Sequence, residues 1–72
     1  MSKTPALDEI DLKILKAINE ATEITCKEIS VKTGIRVRVI AAKMRKLTKM
    51  KLVERIEKGK YKITEKGKSA IG

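Results

Sequence analysis

The chain has 72 residues, enough for one small domain spanning 1–72. It carries a net charge of +9 and one aromatic residue, Tyr61, with no Phe, Trp or His. That composition argues against haem ligation, histidine metal sites and histidine acid–base catalysis, and it weakens folds that stack bases on aromatic side chains.

Residues 1–6 hold Pro5 and little pattern, and read as a frayed lead. In LDEIDLKILKAINEAT, Asp8 is a good N-cap and the acids of the first turn suit the helix dipole. Ile10, Ile14, Leu15 and Ile18 form an apolar stripe at helical spacing, which predicts a helix over about 8–20.

The segment ITCKEISVKTGI follows. Thr25 and Glu28 have the T-x-x-E spacing of a capping box, and Gly34 is a natural stop, so a short helix is expected at about 26–33. Ile24 in front of it is placed to form a minimal strand. Cys26, the only cysteine, excludes an intramolecular disulfide and a zinc knuckle. An inert residue at a helix start and a redox thiol both fit it.

A third helix is expected at about 36–50, three residues after the second ends. Two helices joined by a tight glycine-containing turn form a helix-turn-helix. Val37, Ile40, Met44 and Leu47 share one stripe of the third helix. Arg38, Ala42, Arg45 and Lys49 fall on the opposite side, with Lys46 flanking. The stretch RVRVIAAKMRKLTKMK holds seven positive charges and no negative one. Like charges at helical spacing repel by roughly 0.2–0.5 kcal/mol per pair, so the concentration calls for a reason.

LVERIEKGKYKIT alternates around KGK at 58–60, and predicts a β-hairpin with strands near 52–57 and 61–64. Val53, Ile56, Tyr61 and Ile63 supply its apolar positions. TEKGKSAIG closes the chain as a frayed turn of helix capped by Thr64.

The charge is unevenly placed. Residues 1–35 carry five bases and six acids, whereas residues 36–72 carry thirteen bases and three acids. Such segregation is the footprint of an anionic partner. The opening MSKTPALDEIDLKIL has acids where a secretory signal needs an apolar core, and no run approaches the ~18 apolar residues of a membrane span. A cytoplasmic, nucleoid-associated location is therefore expected. Abundant Lys, Glu and Ile, with one Asn and no Gln, match thermophile usage.

The element order is that of a winged helix-turn-helix. EISVKTGIRVRVIAAKMRKLTKMKLVERIEKGKYKITEKG resembles the winged-helix DNA-binding domain of prokaryotic, especially archaeal, transcription regulators. The match lies in E-I-S-x-x-T-G-I, in Ile40, Met44 and Leu47 as core positions, in LVER leading into the wing and in YKITEKG leaving it. LDEIDLKIL is similar to the opening helix of feast/famine (leucine-responsive) regulators. The likeness covers about residues 7–68. It departs at Arg36, where many members have Ser, Thr or Asp as N-cap, and at Lys51, where Gly often ends the third helix. The ligand-binding domain of the feast/famine regulators has no counterpart in these 72 residues.

The expected fold is thus α+β, mainly α: three helices and a C-terminal two-stranded wing. The expected partner is double-stranded DNA, with the third helix in the major groove, which admits one helix. Arg38 and Arg45 are candidates for bidentate contact to guanine. Ala41 and Ala42 let the backbone approach the bases, and an alanine methyl can touch a thymine methyl. Arg36 gains order on phosphate, and Lys46 and Lys49 sit on phosphates. Lys58, Lys60 and Lys62 of the wing reach flanking backbone or minor groove. The N-terminus of the second helix, at Thr25, Cys26 and Lys27, offers backbone N–H groups to phosphate. The residues leave homodimer formation open. Neither a catalytic set, nor a metal site, nor a cofactor is expected. Besides a regulator, a sequence-tolerant architectural DNA binder and a protein-interaction module are open; the wholly basic outer face counts against the last.

Overall fold

A computed structural model describes residues 7–57 and 59–71. The expected frayed lead, 1–6, and Lys58 lie outside the described residues. The order is α1 (Glu9–Asn19), β1 (Ile24–Thr25), α2 (Cys26–Thr33), α3 (Val37–Lys49), β2 (Val53–Glu57), β3 (Lys60–Ile63) and α4 (Glu65–Ile71).

Both early helices begin on reciprocal caps. The Asp8 carboxylate accepts from the Asp11 N–H at 2.9 Å, and the Asp11 carboxylate accepts from the Asp8 N–H at 3.0 Å. Thr25 and Glu28 exchange the same pair of bonds at 3.1 and 2.9 Å. Each arrangement satisfies backbone donors that a helix start leaves without a partner.

The stripe of α1 differs from expectation by one residue. Ile10 is 37% exposed, and Asp11 is fully buried beside Ile14, Leu15 and Ile18. Ile14 and Ile18 are three and seven residues on from Asp11, so the buried arc starts at the acid rather than at Ile10. The buried core unites Ile14, Leu15, Ala17 and Ile18 with Ile24, Ile29, Ile40, Met44, Leu47, Leu52 and Val53. Val37, expected on this stripe, is 44% exposed instead. It opens α3 at the edge of the buried arc.

The α2–α3 turn is held by side chains. Gly34 adopts φ 78°, a left-handed conformation open to glycine at little cost. The Ser30 hydroxyl donates to the Ile35 carbonyl at 2.5 Å, and the Thr33 hydroxyl donates to the Ile29 carbonyl at 2.7 Å. The Ile35 N–H then donates to Thr33 Oγ1 at 3.2 Å.

At its far end α3 closes with a Schellman motif. The Leu52 N–H donates to the Leu47 carbonyl (2.9 Å) and the Lys51 N–H to the Thr48 carbonyl (3.0 Å). Lys51 therefore stands at φ 67°, where the family resemblance led one to expect glycine.

The sheet has three antiparallel strands in the order β1-β3-β2: the expected two-stranded hairpin joined by the minimal strand expected at Ile24. Ile24 and Thr25 pair with Tyr61 and Lys60 of β3. On the other side Val53 pairs with Ile63, Glu54 with Lys62 and Arg55 with Tyr61, and a bulge follows. The bulge interrupts the alternation at Ile56, which is 40% exposed although expected among the apolar positions. Tyr61 is half-buried against the core at the base of the wing.

The expected terminal turn is a fourth helix of seven residues, α4, in addition to the three expected. Thr64 caps it by accepting the Gly67 N–H at 3.0 Å. Its hydroxyl is also placed to donate to the carbonyls of Lys51 (2.7 Å) and Leu52 (3.0 Å).

Candidate nucleic-acid interface

The amphipathic pattern of α3 sets the interface. Ile40, Met44 and Leu47 are buried, which turns the other side of the helix outward. Arg38, Ala42, Arg45 and Lys49 are exposed, as the wheel implied, and so are Arg36 and Ala41. Arg38, Ala42, Arg45 and Lys49 follow each other at spacings of four, three and four residues, which keeps them on one face. No acid lies within α3. Arg36 occupies the N-cap position with extended backbone, and its side chain makes no cap hydrogen bond.

Two of the seven charges behave differently. Lys43 and Lys46 lie on one flank of α3 and reach toward the start of α1. The Lys43 ammonium is 2.9 Å from Asp8 Oδ2 and 3.9 Å from Asp11 Oδ1. The Lys46 ammonium is 2.6 Å from Asp11 Oδ2. Asp11 Oδ1 is buried without a hydrogen-bond partner, so the nearby Lys43 cation is its electrostatic compensation. The Asp11 N–H and the Lys43 ammonium hold the Asp8 carboxyl well below the usual carboxylate range. In turn, the hydrogen bond to Asp8 pushes the Lys43 ammonium up.

This cluster explains part of the charge on α3. Lys43 and Lys46 are counter-ions for the acids of α1, and one of those acids is buried. Lys46, expected on phosphate, is directed at Asp11 with its side chain 35% exposed. Sequence reading missed the pairing. The available signal was the D-x-x-D spacing of a second capping box, which places Asp11 on the inward side of the helix.

The wing is less free than its lysines suggest. Lys60 lies 3.7 Å from Glu23, and Lys62 lies 3.9 Å from Glu54. Both lysines are exposed, so these contacts are weak and readily exchanged. Gly59, at φ 78°, turns the chain at the tip. Because β1 joins β3, Thr25 at the start of α2 and Lys60 at the wing lie side by side in the sheet. At that helix start, however, the Thr25 N–H already donates to Glu28. Burial pushes the Cys26 thiol up, away from the reactive thiolate.

Among the described residues no group of three or more metal-ligating side chains comes together, and no helix is long and apolar enough to cross a membrane.

The architecture is similar to that of solved structures. One is the reduced form of MarR from E. coli, with a TM-score of 0.84 and 21% identity over 92% of this chain and 49% of that one. Another is BpsR of Bordetella bronchiseptica, whose DNA binding is regulated by 6-hydroxynicotinic acid. It has a TM-score of 0.84 and 16% identity over 92% of this chain and 50% of that one. At these identities the likeness is one of fold, and the chain spans about half the length of each. No curated protein matches the chain in sequence. The model of the winged helix-turn-helix DNA-binding family matches residues 7–54, from the start of α1 into β2, and the chain belongs to that family.

Proposed function

We propose that the chain acts as a sequence-specific DNA-binding transcription regulator, a small repressor, with α3 in the major groove and the wing on flanking backbone. The observation that carries this reading is the exposed, acid-free face of α3, where Arg38, Ala42, Arg45 and Lys49 follow one another opposite the buried stripe. Arg38 and Arg45 read guanine through paired donors, the bond geometry that distinguishes it in the major groove. Ala41 and Ala42 allow close approach of the helix. Arg36 and Lys49 bind phosphate at the two ends of α3, and Lys58, Lys60 and Lys62 do so from the wing. Phosphate contacts position the domain and base contacts specify the site.

Selection from a random-sequence duplex library at about physiological salt tests this. An enriched motif supports the regulator, and a palindromic one reports a homodimer reading half-sites about one DNA turn apart. Binding without enrichment replaces this reading with that of an architectural DNA protein. No binding overturns DNA as the partner.

A further inference from the structure

Lys43 of α3 is held close to two carboxylates. It lies 2.9 Å from Asp8 and 3.9 Å from the oxygen of Asp11 that lacks a hydrogen bond. The neighbouring Lys46–Asp11 pair, at 2.6 Å with a fully buried carboxylate, anchors this flank of α3 to α1. The Lys43 side chain is 24% exposed and that of Asp8 55% exposed, so the pair is open to solvent.

We propose that Asp8 sets the affinity of the DNA interface: by holding Lys43 it keeps one cation of the recognition helix off the phosphates. The inference rests on the DNA-binding reading above. Sequence-blind affinity comes almost wholly from lysines and arginines that displace counterions from phosphate. A lysine already neutralised within the protein adds little to that term unless its own ion pair breaks. The residues facing the bases lie elsewhere, around Arg38 and Arg45. Holding Lys43 therefore lowers binding to all sequences alike, by the worth of one phosphate contact, while leaving base contacts intact. The acid does this without an acid on α3 itself, where it would oppose the DNA directly.

Asp8→Asn removes the nearer of the two carboxylates on Lys43 and leaves Asp11, 3.9 Å away, in place. Asparagine caps a helix about as well as aspartate, so α1 keeps its start. Binding to a random-sequence duplex is measured for wild type, Asp8→Asn, Lys43→Gln and the double variant, from about 50 to about 200 mM salt. The expected result is a log–log salt slope steeper by about 0.9 for Asp8→Asn, the value of one added phosphate contact. Lys43→Gln alone leaves the wild-type slope in place, and the double variant returns to it. Asp8→Asn also tightens binding to random duplex and to a selected motif by about the same factor. Asp8→Ser, another good cap, repeats the measurement should the asparagine variant lose its helical circular dichroism.

An unchanged slope in a folded Asp8 variant overturns the proposal. So does a slope flattened by about 0.9 in Lys43→Gln alone, because Lys43 would then already be on phosphate. Wild-type protein that binds no duplex overturns the DNA-binding reading itself, a result distinct from both.

Discussion

The backbone carbonyl of Leu52 lies where a side-chain carbon on Gly67 would have to stand, well inside van der Waals contact, with Ile63 Cγ1 2.7 Å from the same point. The same carbonyl accepts the Thr64 N–H at 3.1 Å. The first turn of α4 is thus seated directly on the segment that ends α3. Gly67→Ala should force α4 and the Leu52 backbone apart. The expected cost is about 1–3 kcal/mol, as for overpacked cores. Thermal unfolding should show it, at roughly 4–8 °C per kcal/mol for a domain of this size. An unchanged midpoint would mean that α4 does not hold this seat in solution.

Lys51 offers the opposite test. A side chain in the left-handed region costs about 1–2 kcal/mol, and glycine returns part of that through its greater freedom when unfolded. Lys51→Gly should therefore raise stability by about 0.5–1 kcal/mol, as glycine at this position of a Schellman motif does. Chemical denaturation should show a higher midpoint at an unchanged slope. A lower midpoint would deny the motif.

The hydroxyl of Ser30 spans the turn between α2 and α3. Ser30→Ala leaves the Ile35 carbonyl with one partner fewer, at an expected cost of about 0.5–1.5 kcal/mol. Because this bond helps set the angle of α3, amide exchange at residues 35–38 should quicken more than at Ile14 or Ile18. Equal change at both places would assign the effect to general loosening.

The Asp8 carboxyl is held well below its usual range, first by the Asp11 N–H and then by Lys43. It binds a proton more readily in the unfolded chain than in the folded one. Its contribution to stability is present above the ordinary carboxylate range, near pH 4, and is lost as pH falls through the depressed folded value. The stability difference between wild type and Asp8→Asn should therefore shrink progressively below about pH 4. A difference constant from pH 6 to pH 2 would deny the depressed ionisation.

The proposed interface separates Arg38 from Lys49 by kind of contact. Arg38→Ala should reduce discrimination between sequences, by about 1–3 kcal/mol at one base pair. Lys49→Ala should weaken all sequences alike and flatten the salt slope by about 0.9. Uniform, equal losses from both substitutions would remove the base-reading role of Arg38.

Most of the fold was legible from local signals. Asp8, Thr25, Gly34 and Thr64 announced helix boundaries, because capping is a matter of residue type at a fixed offset. The outward set of α3 followed from the period of its buried residues. What stayed hidden depended on partners far along the chain. Asp11 is buried because lysines 32 and 35 residues later neutralise it, and no local pattern carries that. Ile56 was displaced by a bulge, and the partner of the minimal strand expected at Ile24 was not legible, because β3 meets it from across the fold. The role of Gly67 likewise depends on a distant partner, the Leu52 carbonyl that it lets come near.

The pairing of Thr25 with Lys60 gives the molecule a fixed gauge. Wings on hairpins alone can bend about their base, but here the third strand splints the wing to the first turn of α2. A surface gripped at both places is thereby measured against a constant span. A backbone that is stretched, bent or of another helical form misfits that span. For the DNA interface proposed above, that span is set by strand register.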